Sequence, residues 1–396
     1  MRDMADPWLS IIGLGEDGLA GLSGASRAAL DAAEVVFGGP RHLALTQVGT
    51  RGQEWPQPFD VAPVLALRGQ RVAVLASGDP FWFGAGASLA INLARAEWVA
   101  YPAPSTFALA AARLGWRLEE VACHGLHATP FAHIRPTLHR RERLICLLRD
   151  GPAVGDFARW LDGQGFGASA LWVLEAVGGP RERIRTTSAA GFDLQDVIAP
   201  VAVAIEAAGG LGLPRSPGLP DAGFAHDGQI TKAPVRALTL AALAPRPGEH
   251  LWDIGAGSGT VSIEWCLAGG CATAIEQQTG RVANIRANAQ NFGLTGALTV
   301  VEGTAPQALA GLAAPQAVFV GGGFNLSLFS ALQSLAPSAC RLVVNAVTLE
   351  TESALAQLHL QHGGDLLRIE LAHAAPLGPM RGWVPARPVV QWSITL

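Results

Sequence analysis

One stretch constrains this chain more than any other: Asp253-Ile-Gly-Ala-Gly-Ser-Gly-Thr260, entered by a strand-like apolar run (250–254) and left by a helical pattern (261–267). A glycine-rich turn between a strand and a helix lets backbone N–H groups approach a ligand closely, at a helix N-terminus carrying partial positive charge. Glu276 ends the next strand-like run, where nucleotide-binding doubly wound folds place an acid on ribose hydroxyls. The glycines fall at Gly255, Gly257 and Gly259, not in the Gly-x-Gly-x-x-Gly spacing of dinucleotide sites. Asp253, just before the turn, offers a carboxylate to a cationic amino group. The expected ligand is nucleotide-like and not a dinucleotide.

Around this turn, strand-like runs at 250–254, 272–275, 298–301, 317–320 and 342–346 alternate with helical patterns at 232–243, 261–267, 281–292, 306–312 and 326–335. Such alternation predicts right-handed βαβ crossovers and a mostly parallel sheet. The end differs. After a helix at 349–362, runs at 366–371 and 389–396 are joined by an irregular Pro/Gly-rich stretch, 375–388, with no helix between. They predict an antiparallel hairpin at the sheet edge.

The chain has 396 residues, too many for one ordinary domain of about 150 residues. The break falls in the Gly- and Pro-dense stretch 209–223, which reads as a linker. The expected division is 1–208, a linker at 209–227, and 228–396. The first part also alternates, with strand-like runs at 9–12, 35–37, 72–76, 98–100, 144–148, 171–175 and 201–205 and helices at 25–33, 85–94 and 107–114. Hydrophobic residues are 49% and charged residues 15%, enough for sizeable cores. No apolar run reaches the roughly 18 residues of a spanning helix, and residues 1–7 carry acids rather than the apolar core of a signal peptide. The expected location is the cytoplasm. Net charge is −4 and no basic stripe is present, which argues against nucleic acid. Lys232 is the only lysine, so Schiff-base chemistry has a single possible position. The five cysteines form no Cys-x-x-Cys pair and read as buried apolar residues, with no metal site.

The second part resembles the class I, Rossmann-like S-adenosylmethionine methyltransferases, and more narrowly the corrin-pathway enzymes that decarboxylate a precorrin. The resemblance rests on Gly228-Gln-Ile-Thr-Lys-Ala-Pro-Val-Arg236, the glycine-rich loop, Glu302-Gly-Thr-Ala-Pro-Gln-Ala-Leu309, Val318-Phe-Val-Gly-Gly-Gly323 and Val344-Asn-Ala-Val-Thr-Leu-Glu-Thr351. It implies cofactor contacts at Thr231, Asp253, Gly255, Ala256, Gly257, Ser258, Gly259, Glu276, Thr304 and Ala305, with Thr304 standing where an Asp is common. The small residues Gly321, Gly322 and Gly323 would admit a flat, bulky ring at a strand end.

In the first part, Gly13-Leu-Gly-Glu-Asp-Gly18 follows the first strand, Ser77-Gly-Asp-Pro-Phe-Trp-Phe-Gly84 another, and Ser105 is placed to cap the helix after Tyr101-Pro-Ala-Pro. Together these resemble the tetrapyrrole methylases, a class III family built from two αβα subdomains. The resemblance implies cofactor contacts at Gly78, Asp79, Pro80, Ser105 and Thr106; the plainer reading of Asp79 is a carboxylate capping its own turn. His124 and His127 read as structural.

Both in this order resemble the fused, decarboxylating C5,15-methyltransferases of precorrins. The resemblance implies an α/β chain of two domains, one S-adenosyl-L-methionine per domain, methylation at C5 by the first and at C15 by the second, and loss of the C12 acetate carboxyl in cobalamin biosynthesis. Substrate carboxylates need donors, and Arg236 and Arg381 are the substrate-site candidates. The expected partners are a tetrapyrrole and further copies of the chain in a homo-oligomer, with no nucleic acid and no membrane. An RNA or protein methyltransferase, or one active domain beside a scaffold domain, are the competing readings.

Overall fold

The structure is a computed structural model that describes residues 7–396. The expectation for the extreme N-terminus therefore falls largely on residues 1–6, outside the described residues. The chain divides into two compact units, Met1–Phe131 with Thr137–Leu211, and Ala132–Pro136 with Gly212–Leu396.

The first unit carries two sheets. In the first sheet the order is Gly52–Glu54, Val35–Gly38, Val72–Ser77, Leu9–Leu14, Trp98–Tyr101, all parallel. A parallel sheet covered on both faces needs continuous apolar runs, and Val72–Ser77 is buried at five successive positions. Alternate residues serve opposite faces: Ile11 and Val74 pack with Leu89, and Ile12 and Leu75 with Leu30. The second sheet is mixed, in the order Ala122–Gly125, Arg143–Leu148, Val201–Glu206, Ala170–Glu175, Arg183–Ser188. Helix Thr106–Leu114 packs Phe107, Ala110 and Ala111 against Ile145, Leu174 and Ala202 of that sheet. Ser105 caps this helix as expected, its Oγ accepting from Ala108 N at 3.1 Å.

The second unit has one seven-stranded sheet in the order Leu298–Glu302, Cys271–Glu276, His250–Ile254, Ala317–Val320, Arg341–Ala346, Val389–Thr395, Asp365–Ile369. The first five are parallel; Val389–Thr395 runs antiparallel to both its neighbours. Leu251 joins the core with Val261, Ile285 and Leu240, and Trp252 the opposite core with Leu328 and Leu355. Five parallel strands bring their carboxyl ends to one side, which positions the turns described below.

Some expectations need correction. The stretch expected to be irregular, 375–388, contains most of a separate two-stranded hairpin, Ala372–Leu377 with Met380–Pro385. It is largely exposed, so it has no buried face to impose an apolar period. The expected helix at 306–312 is only a short turn, Gln307–Leu309. Cys271 is exposed, unlike buried Cys146, Cys266 and Cys340. The stretch expected to tether two domains packs onto the second unit, with Leu219 and Phe224 in its core. Among the described residues no helix is long and apolar enough to cross a membrane.

Candidate functional site

In the second unit, Gly255, Gly257 and Gly259 have φ of +67°, +59° and +71°, a region that only glycine enters freely. At Gly255 the need is also spatial: a Cβ there would lie 2.6 Å from Gly322 O and 2.9 Å from Gly322 N. The loop and the triple glycine thus meet backbone to backbone at the ends of two adjacent strands, with Gly321 N donating to Ile254 O at 2.9 Å. Ala256 sits in the loop and packs partly against the core. Gly323 also has positive φ, and Gly321, Gly322 and Gly323 are all exposed.

Glu276 is buried and ties the loop to the next strand. Its Oε2 accepts from Gly257 N at 2.9 Å and its Oε1 from Gln278 N at 3.0 Å. Gly303 N donates to Glu276 O, which brings Thr304 and Ala305 to the same sheet end. Thr304 is exposed, and Ala305 is half-buried. Ser258 donates its hydroxyl to Gln229 O at 3.0 Å, which holds the segment of Thr231 over the loop.

Asp253 is buried. Its Oδ2 accepts from Ser262 Oγ at 2.6 Å and from Ser262 N at 3.2 Å, while Oδ1 has no hydrogen-bond partner. Burial pushes the carboxyl up to about 6, against the Ser262 hydrogen bonds and with help from the charge of Glu276. A buried acceptor with no donor is costly. A cationic group at this spot would satisfy it, so the residues present fit the S-adenosylmethionine that the resemblance implies.

Arg236 is not a substrate arginine. It is fully buried, and its guanidinium is committed to Glu264 (2.5 Å), Asp221 (3.3 Å) and the carbonyls of Thr231 and Leu219. Phe224 lies against it, 4.9 Å from ring centroid to guanidinium carbon. Glu264 accepts in addition from Gly218 N and Leu219 N. Arg236 therefore fastens the Pro/Gly-rich stretch to helix Thr260–Leu267. Arg381 differs: it is exposed on the hairpin and forms no ion pair among the described residues.

In the first unit, the carboxyl ends of Leu9–Leu14, Val72–Ser77 and Trp98–Tyr101 close on one another. A Cβ on Gly13 would collide with Gly78 O and lie 2.6 Å from Ala103 N. Gly78 has φ of +57°, and its Cβ would lie 2.7 Å from Ser105 Cα. Beside them opens a cleft of 510 Å³, lined by Gly78, Ser105 and Thr106 among others. Asp79 and Pro80 form the turn that follows, and Asp79 Oδ1 accepts from Phe81 N at 2.9 Å. That carboxylate caps its own turn, the plainer of the two expectations.

Sequence reasoning missed Arg41, His42 and Arg149 of the cleft, and gave no role to Glu16, Ser77 and Trp82 within the motifs it singled out. An Arg–His pair directly after a strand end, in Gly38-Gly-Pro-Arg-His-Leu43, was the available signal. His127 lines the cleft too, and His124 is held by Thr137 Oγ1 at 2.9 Å.

Residues 9–193 match the family described as Tetrapyrrole (Corrin/Porphyrin) Methylases, and residues 222–396 the family described as Precorrin methyltransferase domain. The chain is 49% identical over 404 residues to a Precorrin-6Y C(5,15)-methyltransferase [decarboxylating] of Sinorhizobium sp, covering 99% of this chain and 97% of that protein. It is 39% identical to the protein of the same name from Mycobacterium tuberculosis, covering 97% and 99%. A shorter relative, the Cobalt-precorrin-6B C(15)-methyltransferase (decarboxylating) of Salmonella typhimurium, is 37% identical over 170 residues, 40% of this chain and 85% of that protein.

Proposed function

Because the chain belongs to the decarboxylating precorrin-6Y C(5,15)-methyltransferases, we propose that its two units divide the reaction. The first methylates C5; the second methylates C15 and removes the C12 acetate carboxyl. Each binds its own S-adenosyl-L-methionine. The single observation that supports this division is that each unit has a glycine-built end to its parallel strands, Gly13 with Gly78 in one and Gly255 with Gly322 in the other.

Bound S-adenosylmethionine supplies an electrophilic methyl to an enamine-like ring carbon. The chain's own residues then have to align the reactants and exclude water. In the first unit Gly78, Ser105 and Thr106 are the cofactor contacts, with Asp79 and Pro80 shaping their turn. In the second, Asp253 Oδ1 takes the cationic end, Glu276 the ribose, and Thr231, Ala256, Thr304 and Ala305 the remaining edges. The floor of Gly321, Gly322 and Gly323 receives the macrocycle, and Arg381 a peripheral carboxylate. For decarboxylation the conjugated ring is the electron sink, so the protein needs only to fix the other carboxylates and desolvate one. The protein works in the cytoplasm as a homo-oligomer, without nucleic acid or membrane.

Asp253 gives this reading a pH signature. Its folded value lies above its unfolded one, so its contribution to stability is full below about 3.8 and is lost as pH rises through about 6. A cationic ligand favours the ionised form. S-adenosylmethionine binding at the second site should tighten about tenfold from about pH 5 to about pH 7, with proton uptake by buffer. Calorimetry in buffers of different ionisation enthalpy checks this. Asp253→Asn should flatten the profile; a flat profile in the parent protein would count against the contact.

The overall reaction is tested with precorrin-6Y and methyl-labelled S-adenosylmethionine, followed by product mass. The expected change is a gain of two methyl groups and loss of one carbon dioxide. A single methyl from the intact chain would contradict it.

A further inference from the structure

Methylating a meso carbon has a second half. The carbon's π pair forms the new C–CH3 bond, the S–CH3 pair leaves on sulfur, and the positive charge passes to a ring nitrogen as an iminium. The carbon then holds both the new methyl and its original hydrogen. Neutral conjugation returns only when that proton goes to an acceptor.

The first unit's cleft holds a hydroxyl and an imidazole in contact, neither of them among the expected cofactor or substrate contacts. Ser77 Oγ lies 2.9 Å from His42 Nε2. Arg41 Nη2 lies 2.7 Å from Ser77 Oγ and 3.0 Å from His42 Nε2. A guanidinium only donates, so Arg41 donates to both. His42 Nε2 is then the unprotonated nitrogen, the ring proton sits on Nδ1, and the Ser77 hydroxyl donates to Nε2. Ser77 is exposed to the cleft, and Arg41 and His42 line it as well. The charged groups around the imidazole are Arg41 and, paired with it, Glu16, which Arg181 also approaches at 3.7 Å. Burial, and then the charge of Arg41, push His42 down to about 4, which keeps the ring neutral and able to accept. So weak a base suffices, because the acid is the C–H of a cation.

We infer that Ser77 and His42 are a proton relay that takes the meso proton after methyl transfer in this cleft. Ser77 Oγ accepts the proton from carbon and passes its own to His42 Nε2. The C–H pair returns to the π system and neutralises the iminium, and the imidazolium, whose Nδ1 is buried without a hydrogen-bond partner, gives its proton from Nε2 back through Ser77 to the solvent of the cleft. Ser77 is the catalytic residue; His42 acts through it, and Arg41 fixes the tautomer. This rests on the reading that the first unit carries the C5 transfer.

The test uses the full chain, S-adenosylmethionine and precorrin-6Y deuterated at C5, with the rates of C5 and C15 methylation read separately. In the parent protein the C5 isotope effect should be near unity. Ser77→Ala and His42→Gln should each slow C5 product formation on the order of 10²-fold, with KM unchanged and an isotope effect clearly above unity. Ser77→Thr, which keeps the hydroxyl, should restore most of the rate. C15 methylation should be untouched in all three. Parent-like C5 rates, or slower rates with the isotope effect still at unity, overturn the relay while leaving the division of labour intact. Loss of C15 methylation with C5 intact overturns the division itself, and the relay with it.

Discussion

Arg236→Met is expected to lower the unfolding free energy of the second unit by about 3–5 kcal/mol, a fall in Tm of roughly 10 °C for a unit of this size. The reason is what the substitution leaves behind. Arg236 is fully buried, and Glu264 beside it is nearly so. Without the guanidinium, Glu264 remains a buried carboxylate whose only donors among the described residues are Gly218 N and Leu219 N. The carbonyls of Thr231 and Leu219 each lose a donor as well. The segment 218–231 should therefore loosen first, and it carries Gln229, the acceptor for Ser258 of the glycine-rich loop. Thermal unfolding followed by circular dichroism checks the stability, and S-adenosylmethionine affinity should weaken in parallel. Arg236→Met with Glu264→Gln should recover part of the loss, because no unpaired charge remains. A Tm unchanged by the single substitution would mean that the pair is solvated in solution.

The second large effect concerns Gly13 and Gly255, one substitution for each unit. Gly13→Ala should reduce C5 methylation on the order of 10²-fold, and Gly255→Ala should do the same to C15 methylation and decarboxylation. Each added methyl meets backbone rather than a yielding side chain: Gly78 O and Ala103 N for Gly13, Gly322 O and N for Gly255. Backbone cannot rotate away, so strand ends must separate, and a shift near 1 Å at a reacting centre is enough for such a loss. At Gly255 the positive φ adds backbone strain. The strain and overpacking together should cost about 1–3 kcal/mol of stability, which leaves both proteins folded. Product mass reads the outcome: each variant should yield a singly methylated product, and only Gly13→Ala should still release carbon dioxide. If either variant loses both methyl groups while remaining folded, the division between units fails.

Much of the framework was legible because it is local. Helix Leu349–His362 appears with the bounds its signals imply: Thr348 caps its start, accepting from Thr351 N, and Gly363 ends it. The loop from Asp253 to Thr260 was legible for the same reason, since three glycines must adopt φ that other residues avoid. Elements without a buried face were not. Strand Arg183–Ser188 lies at the edge of its sheet and Gly52–Glu54 is three residues long, so neither carries an apolar period. The role of Arg236 depends on Leu219, Asp221 and Glu264, whose approach is decided by tertiary packing rather than by spacing. Ser77 and His42 are separated by 35 positions, and their pairing follows from the strand order Val35–Gly38 beside Val72–Ser77. No motif spans that distance.

Titration calorimetry of S-adenosylmethionine into the full chain tests the central claim, that each unit carries its own transfer site. A stoichiometry of two per chain, falling to one in Gly13→Ala and to one in Gly255→Ala, is the predicted result. A stoichiometry of one in the parent protein would contradict it.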